Sequence, residues 1–215
     1  MNPLKYLYYS LILLGFFILL FKSKNLLKPG NFLQLFIPIY ISVIITEISF
    51  DVFAIYWPYH LNRLVECTSL FLYYFSILKN SAVKLFIKLA FVIFLLVYAN
   101  CYILHTNNFF IYMNTDFLVE SFFISLFSLL YLINLYDNDD IVFFTQNPHF
   151  WIVLGNLLFY SGCLFQIGFS KHLREHDKTL YSLIGYVNYI LNLLLFSFYI
   201  KAFTCKSKSM KLQLL

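Results

Sequence analysis

Apolar residues fill the chain in seven long runs separated by short polar breaks. A helical span needs about 20 mostly apolar residues to cross a hydrocarbon core of about 30 Å. On that measure the pattern places spans at residues 5–21, 32–56, 61–78, 85–104, 117–135, 150–170 and 181–200. Strands of a membrane barrel would alternate apolar and polar positions over about ten residues. Runs such as Leu89 to Val97 are instead apolar on every side. Inside lipid every backbone polar group must find an internal partner, which leaves the helix as the spanning element. The expected fold class is therefore all-α: a polytopic membrane protein with seven transmembrane helices, forming one domain over residues 1–215.

Composition agrees with that solvent. The chain is 61% hydrophobic and 22% aromatic, and only 12% of its residues are charged, against about 25% in ordinary soluble domains. The first run follows Lys5 and ends at Phe21, as a secretory signal would. No small-x-small cleavage site follows it, so it is expected to remain as the first span. Turn residues mark the breaks independently of hydropathy. Lys28, Pro29, Gly30 and Asn31 separate spans one and two, and Trp57, Pro58, Tyr59 and His60 are expected to form a sharp turn between spans two and three. Asn147 and Pro148 supply an N-cap and a first-turn proline for span six. Pro38, inside the long second run, is expected to kink it. Trp57 and Trp151 fall at opposite interfaces, where indole rings settle.

Basic residues are retained on the cytoplasmic side of a membrane, whereas acids contribute little to orientation. One side carries Lys22, Lys24, Lys28, Lys79, Lys84, Lys88, Lys201, Lys206, Lys208 and Lys211; the other carries Lys5, Arg63, Lys171, Arg174 and Lys178. The imbalance predicts an outside N-terminus and a cytoplasmic C-terminus, in the inner (plasma) membrane. The net charge of +5 then serves contact with an anionic leaflet, and no nucleic-acid reader is legible.

The few ionisable residues inside the spans crowd toward one end. With a rise of about 1.5 Å per residue, Glu47 and Asp51 fall in the outer half of span two, and Arg63 and Glu66 in the first turns of span three. Asn100, Glu120, Gln166 and Asn188 share that level on spans four to seven. Spacing turns several of them into faces: Glu47 with Asp51, Asn62 with Glu66, Ser69 and Tyr73, and Glu120 beside Ser121, Ser125 and Ser128. A charge turned toward lipid costs at least about 2.5 kcal/mol, so these residues are expected to face inward. Serine and asparagine stripes, Asn192 included, read as helix-packing surfaces. Arg63 is expected to pair with Asp51 or Glu66. Four acids against one arginine leave an excess of carboxyl groups, which take up a proton or bind a cation when buried. An outward-facing acidic pocket for a proton, a metal ion or an amine-bearing ligand is the resulting expectation.

Other chemistry is sparse. His172 and His176 are four apart and on a helix would offer two imidazoles to one metal, a weak signal on its own. Cys67, Cys101, Cys163 and Cys205 have no paired ligand spacing and are expected as small thiols. No cofactor motif is present in the sequence. A retinal protein would need a lysine deep in the last span, where only Lys201 stands at its end. Small sugar transporters of the three-plus-one-plus-three type would show internal repeats and a Pro-Gln pair, and zinc hydrolases of the ceramidase type would place several histidines mid-span. The residues supply neither pattern, and no enzyme is expected.

The stretch Asn147-Pro148-His149-Phe150-Trp151-Ile152, followed by Gly155, Tyr160 and Gly162, together with Glu47, Glu66 and Asn192, resembles a broad family of short, uncharacterised integral membrane proteins from Bacteroidota. The resemblance covers nearly the whole chain. It implies a sensory partnership, since such proteins are similar to the membrane parts that accompany sensor histidine kinases, and it transfers no catalytic residue. The functional expectation is a receptor-like membrane component that binds a small ligand and signals to a cytoplasmic partner such as a membrane sensor kinase. A proton- or cation-coupled transporter is the alternative.

Overall fold

The structure, a computed structural model, describes residues 3–26, 32–55, 57–104, 115–137, 145–176 and 178–205. Seven α-helices account for most of them: α1 (Pro3–Leu26), α2 (Phe36–Phe53), α3 (Trp57–Ile77), α4 (Ser81–Ala99), α5 (Thr115–Asp137), α6 (Pro148–His176) and α7 (Lys178–Thr204). A 3-10 turn, Phe32–Leu35, leads into α2, and a π-helical turn, Asn100–Leu104, continues α4. Six helical stretches are long and apolar enough to cross a membrane: Pro3–Lys22, Phe32–Phe53, Ser81–Tyr102, Thr115–Tyr136, Pro148–Phe169 and Leu183–Thr204. The chain is an all-α, multi-pass membrane protein. Helix α3 has 21 residues, enough for about 30 Å, but His60, Asn62, Arg63 and Glu66 make it too polar to stand with the six.

The boundaries differ from expectation around the α2–α3 connection. Trp57 to His60 form the first turn of α3, and the reversal lies earlier, at Ala54 and Ile55. Ala54 adopts a left-handed conformation (φ 53°), and the Ala54 and Ile55 amides donate to the Phe50 and Ser49 carbonyls at 3.0 and 3.3 Å. The Ala54 bond, from a left-handed residue to the carbonyl four positions back, closes the end of α2 as an αL cap. Pro58 can then enter α3 because a first-turn residue has no intrahelical partner for its amide. Pro38 likewise falls in the first turn of α2, just after the 3-10 turn.

The chain divides into two compact units. One comprises residues 23–124, and so holds α2, α3, α4 and the start of α5. Here α2 and α3 form a hairpin pinned by hydroxyl groups: Ser42 donates to Asn62 Oδ1 at 2.7 Å, and Thr46 to the Pro58 carbonyl at 3.3 Å. Phe36 meets Tyr73 edge-on, with centroids 5.5 Å apart. Phe71 touches Phe91, Phe94 and Phe123 at 5.4–6.5 Å, joining α3 to α4 and to the start of α5. Asn80 caps α4 by accepting from the Ala82 amide at 2.9 Å.

The other unit comprises residues 1–22 and 125–215. Its centre is the antiparallel pair α6–α7. Asn147 caps α6 by accepting from the His149 amide at 2.9 Å, as expected from the Asn-Pro pair. Gly155 and Gly162 let α7 approach: a methyl group on Gly155 would sit 2.9 Å from Phe198 Cβ, and one on Gly162 2.7 Å from the Leu191 δ-methyls. Close approach at small residues is the usual basis of helix association in lipid. Tyr199 donates to Asn156 Oδ1 at 2.5 Å between the same two helices, with both residues buried. Lys22 of α1 donates to the Phe203 carbonyl in the last turn of α7, and Lys201 lies 5.8 Å from the Trp151 ring.

Candidate functional site: the Arg63 charge cluster

On α3, Arg63 and Glu66 are three positions apart and therefore share a face. Helix α5 starts at Thr115, which places Asp116, Phe117 and Glu120 on its first two turns. An acid in a helix's first turn is favoured by the backbone dipole. The two short segments meet. Arg63 Nη1 lies 3.5 Å from Glu120 Oε2, Arg63 Nε lies 4.0 Å from Asp116 Oδ2, and Arg63 Nη1 lies 4.0 Å from Glu66 Oε2. The guanidinium also covers the Phe117 ring at 3.8 Å, close enough for a cation–π contact.

Burial makes this arrangement consequential. The Asp116 and Glu120 side chains are 1% and 0% exposed, while those of Arg63 and Glu66 are each 12% exposed. The Tyr102 side chain lies beside the Asp116 carboxyl, as Arg63 does beside that of Glu120. One guanidinium thus stands against three carboxyl groups. Buried charge is costly unless it is paired. At the same end of α3, the His60 ring packs at a tilt against Tyr102 with centroids 4.2 Å apart, and the Tyr98 hydroxyl donates to the His60 carbonyl at 3.2 Å. These contacts fix α3 against α4 one turn before the arginine.

Of the residues expected at the site, Arg63, Glu66 and Glu120 come together. Glu47 is half-buried and Asp51 exposed on α2. Asn100 is exposed where α4 passes into its π-helical turn. Gln166, half-buried on α6, and Asn188, exposed on α7, belong to the other unit. Asn188 Oδ1 accepts from Asn192 Nδ2 at 3.2 Å along α7. The His172–His176 segment forms the last turns of α6, with His176 exposed and the His172 side chain outside the described residues. Among the described residues no three His, Cys, Asp or Glu side chains gather as a metal site would require.

Asp116 was not among the expected residues. The apolar run of span five begins at Phe117, so hydropathy leaves Asp116 in the preceding loop. Its spacing of four from Glu120 is the signal that places both carboxyls on one face once the helix starts a turn earlier. Beside Glu120, Ser121, Ser125 and Ser128 are all buried.

Compared with family models, with curated proteins and with solved structures, the chain matches none of them. Asn147 caps α6, and Gly155 and Gly162 seat α7.

Proposed function

We propose that this is a receptor-like inner-membrane protein of seven spans, with its N-terminus outside and its C-terminus in the cytoplasm. In this reading the α3–α5 charge cluster takes up a proton or a small organic cation. The observation that carries it is the imbalance between Arg63 and the three carboxyl groups of Glu66, Asp116 and Glu120, two of them fully buried. A cation entering there would compete with Arg63 for carboxylates on both helices and so change how α3 packs on the start of α5. A two-state contact of this kind is what a ligand must bias in order to signal. The partner that reads the change would be a cytoplasmic or membrane output protein, such as a sensor kinase, approached through the basic residues at and beyond Lys201.

The test is thermal stability of the detergent-solubilised protein across pH and a panel of amines, alongside Glu66→Gln and Glu120→Gln. Selective stabilisation by particular amines or by acid, lost in the variants, is the expected result. A flat response in all three proteins overturns the ligand reading and leaves the cluster as a packing element. Flux of the same cation in proteoliposomes would replace the receptor reading with a transporter.

A further inference from the structure

Lys84 and Lys88 are four apart on α4, and their ammonium groups lie 5.2 and 5.5 Å from the centre of one ring, Phe75 of α3. Each contact is of cation–π length, but together they bring two like charges to a single aromatic ring. Lys79, exposed just before the Asn80 cap, adds a third cation at this corner. No compensating acid is near in the chain, because residues 67–115 contain neither Asp nor Glu. From Lys88 the face continues into apolar surface: Leu85, Leu89 and Leu96 of α4 are 60%, 55% and 65% exposed, at helical spacing along one side. Ammonium groups at the head of an exposed apolar stripe match the two ends of one molecule, an anionic phospholipid.

We infer that the α3–α4 corner is a binding site for an anionic phospholipid. The phosphate sits between Lys84 and Lys88 on the edge of Phe75, and an acyl chain lies along Leu85, Leu89 and Leu96. The lipid relieves the repulsion between the two ammonium groups, and Lys79 widens the site for a second negative charge. The site is separate from the Arg63 cluster in its residues and in the sign of its ligand.

The experiment is native mass spectrometry of the detergent-solubilised full chain with phosphatidylglycerol or phosphatidylcholine, and separately with inorganic phosphate. Wild-type protein retains phosphatidylglycerol over phosphatidylcholine, and Lys84→Gln/Lys88→Gln reduces that preference by about tenfold or more. Lys84→Arg/Lys88→Arg keeps the preference, which separates loss of charge from loss of fold. Equal retention of the two lipids by wild-type protein overturns the proposal, as does a Gln variant with undiminished selectivity. Retention of inorganic phosphate as strongly as the lipid also overturns it, because the acyl stripe would then contribute nothing.

Discussion

Arg63 of α3 reaches Glu120 of α5 at 3.5 Å, and Glu120 has no exposed surface. The pair is asymmetric in its consequences. Removing one partner of a buried ion pair leaves an uncompensated charge and costs about 3–5 kcal/mol. Arg63 is the cation within 4.0 Å of Glu66, Asp116 and Glu120 alike. Arg63→Gln should therefore destabilise the protein by about 3–5 kcal/mol, whereas Glu120→Gln, which leaves the arginine two acids, should change stability by less than about 1 kcal/mol. Reversible unfolding of both variants in mixed micelles checks the ordering. Equal losses would mean that the cluster is not organised around the arginine.

The two glycines of α6 should respond differently to the same substitution. The obstacle at Gly155 is Phe198 Cβ, an atom fixed to the α7 backbone, so Gly155→Ala must push the helices apart. We expect a loss of about 1–3 kcal/mol, the usual range for overpacking. At Gly162 the obstacle is the far end of Leu191, which can rotate away, and Gly162→Ala should cost less than about 1 kcal/mol. Thermal melts of the two variants decide the matter.

Tyr199→Phe deletes the donor to Asn156 Oδ1 and leaves a buried amide oxygen without its partner. Interhelical hydrogen bonds in lipid contribute about 0.6–2 kcal/mol, and a loss in that range is expected. Adding Asn156→Leu should recover part of it, because removing both polar groups is cheaper than removing one. A full double-mutant cycle provides the coupling energy.

Thiol labelling should be confined to one position. Cys67, Cys101 and Cys163 are buried and Cys205, just past α7, is half-buried. Burial raises the Cys205 thiol above its ordinary value, more than Lys201 and Lys22 lower it. The thiolate is the reactive form, so alkylation by maleimide should be slow at neutral pH and accelerate as pH rises through the elevated value. Peptide mapping after labelling identifies the site. Modification of Cys67 at a comparable rate would show that the middle of α3 opens.

Whether α3 crosses the membrane can be read from its two ends. In a background lacking the native cysteines, Trp57→Cys should react with an impermeant maleimide in intact cells, and Lys79→Cys only after permeabilisation. Labelling of both from the same side would make α3 a non-crossing helix and leave the six apolar helices as the spans.

Local chemistry in the sequence was enough to determine the solvent, the helices and several of their ends. Apolar runs of span length need no tertiary information, and the Asn147 cap and the shared face of Arg63 and Glu66 follow from spacing within one helix. The start of α3 was less legible, because the left-handed turn at Ala54 uses a residue with no turn preference of its own. What only the tertiary structure decided is which helix each polar face meets. Asp116 joins Arg63, and Tyr199 finds Asn156, through contacts between segments far apart in the chain. Periodicity specifies a face but not its partner. In lipid, where apolar surfaces are nearly interchangeable, close packing at residues such as Gly155 and a few interhelical polar contacts make that choice.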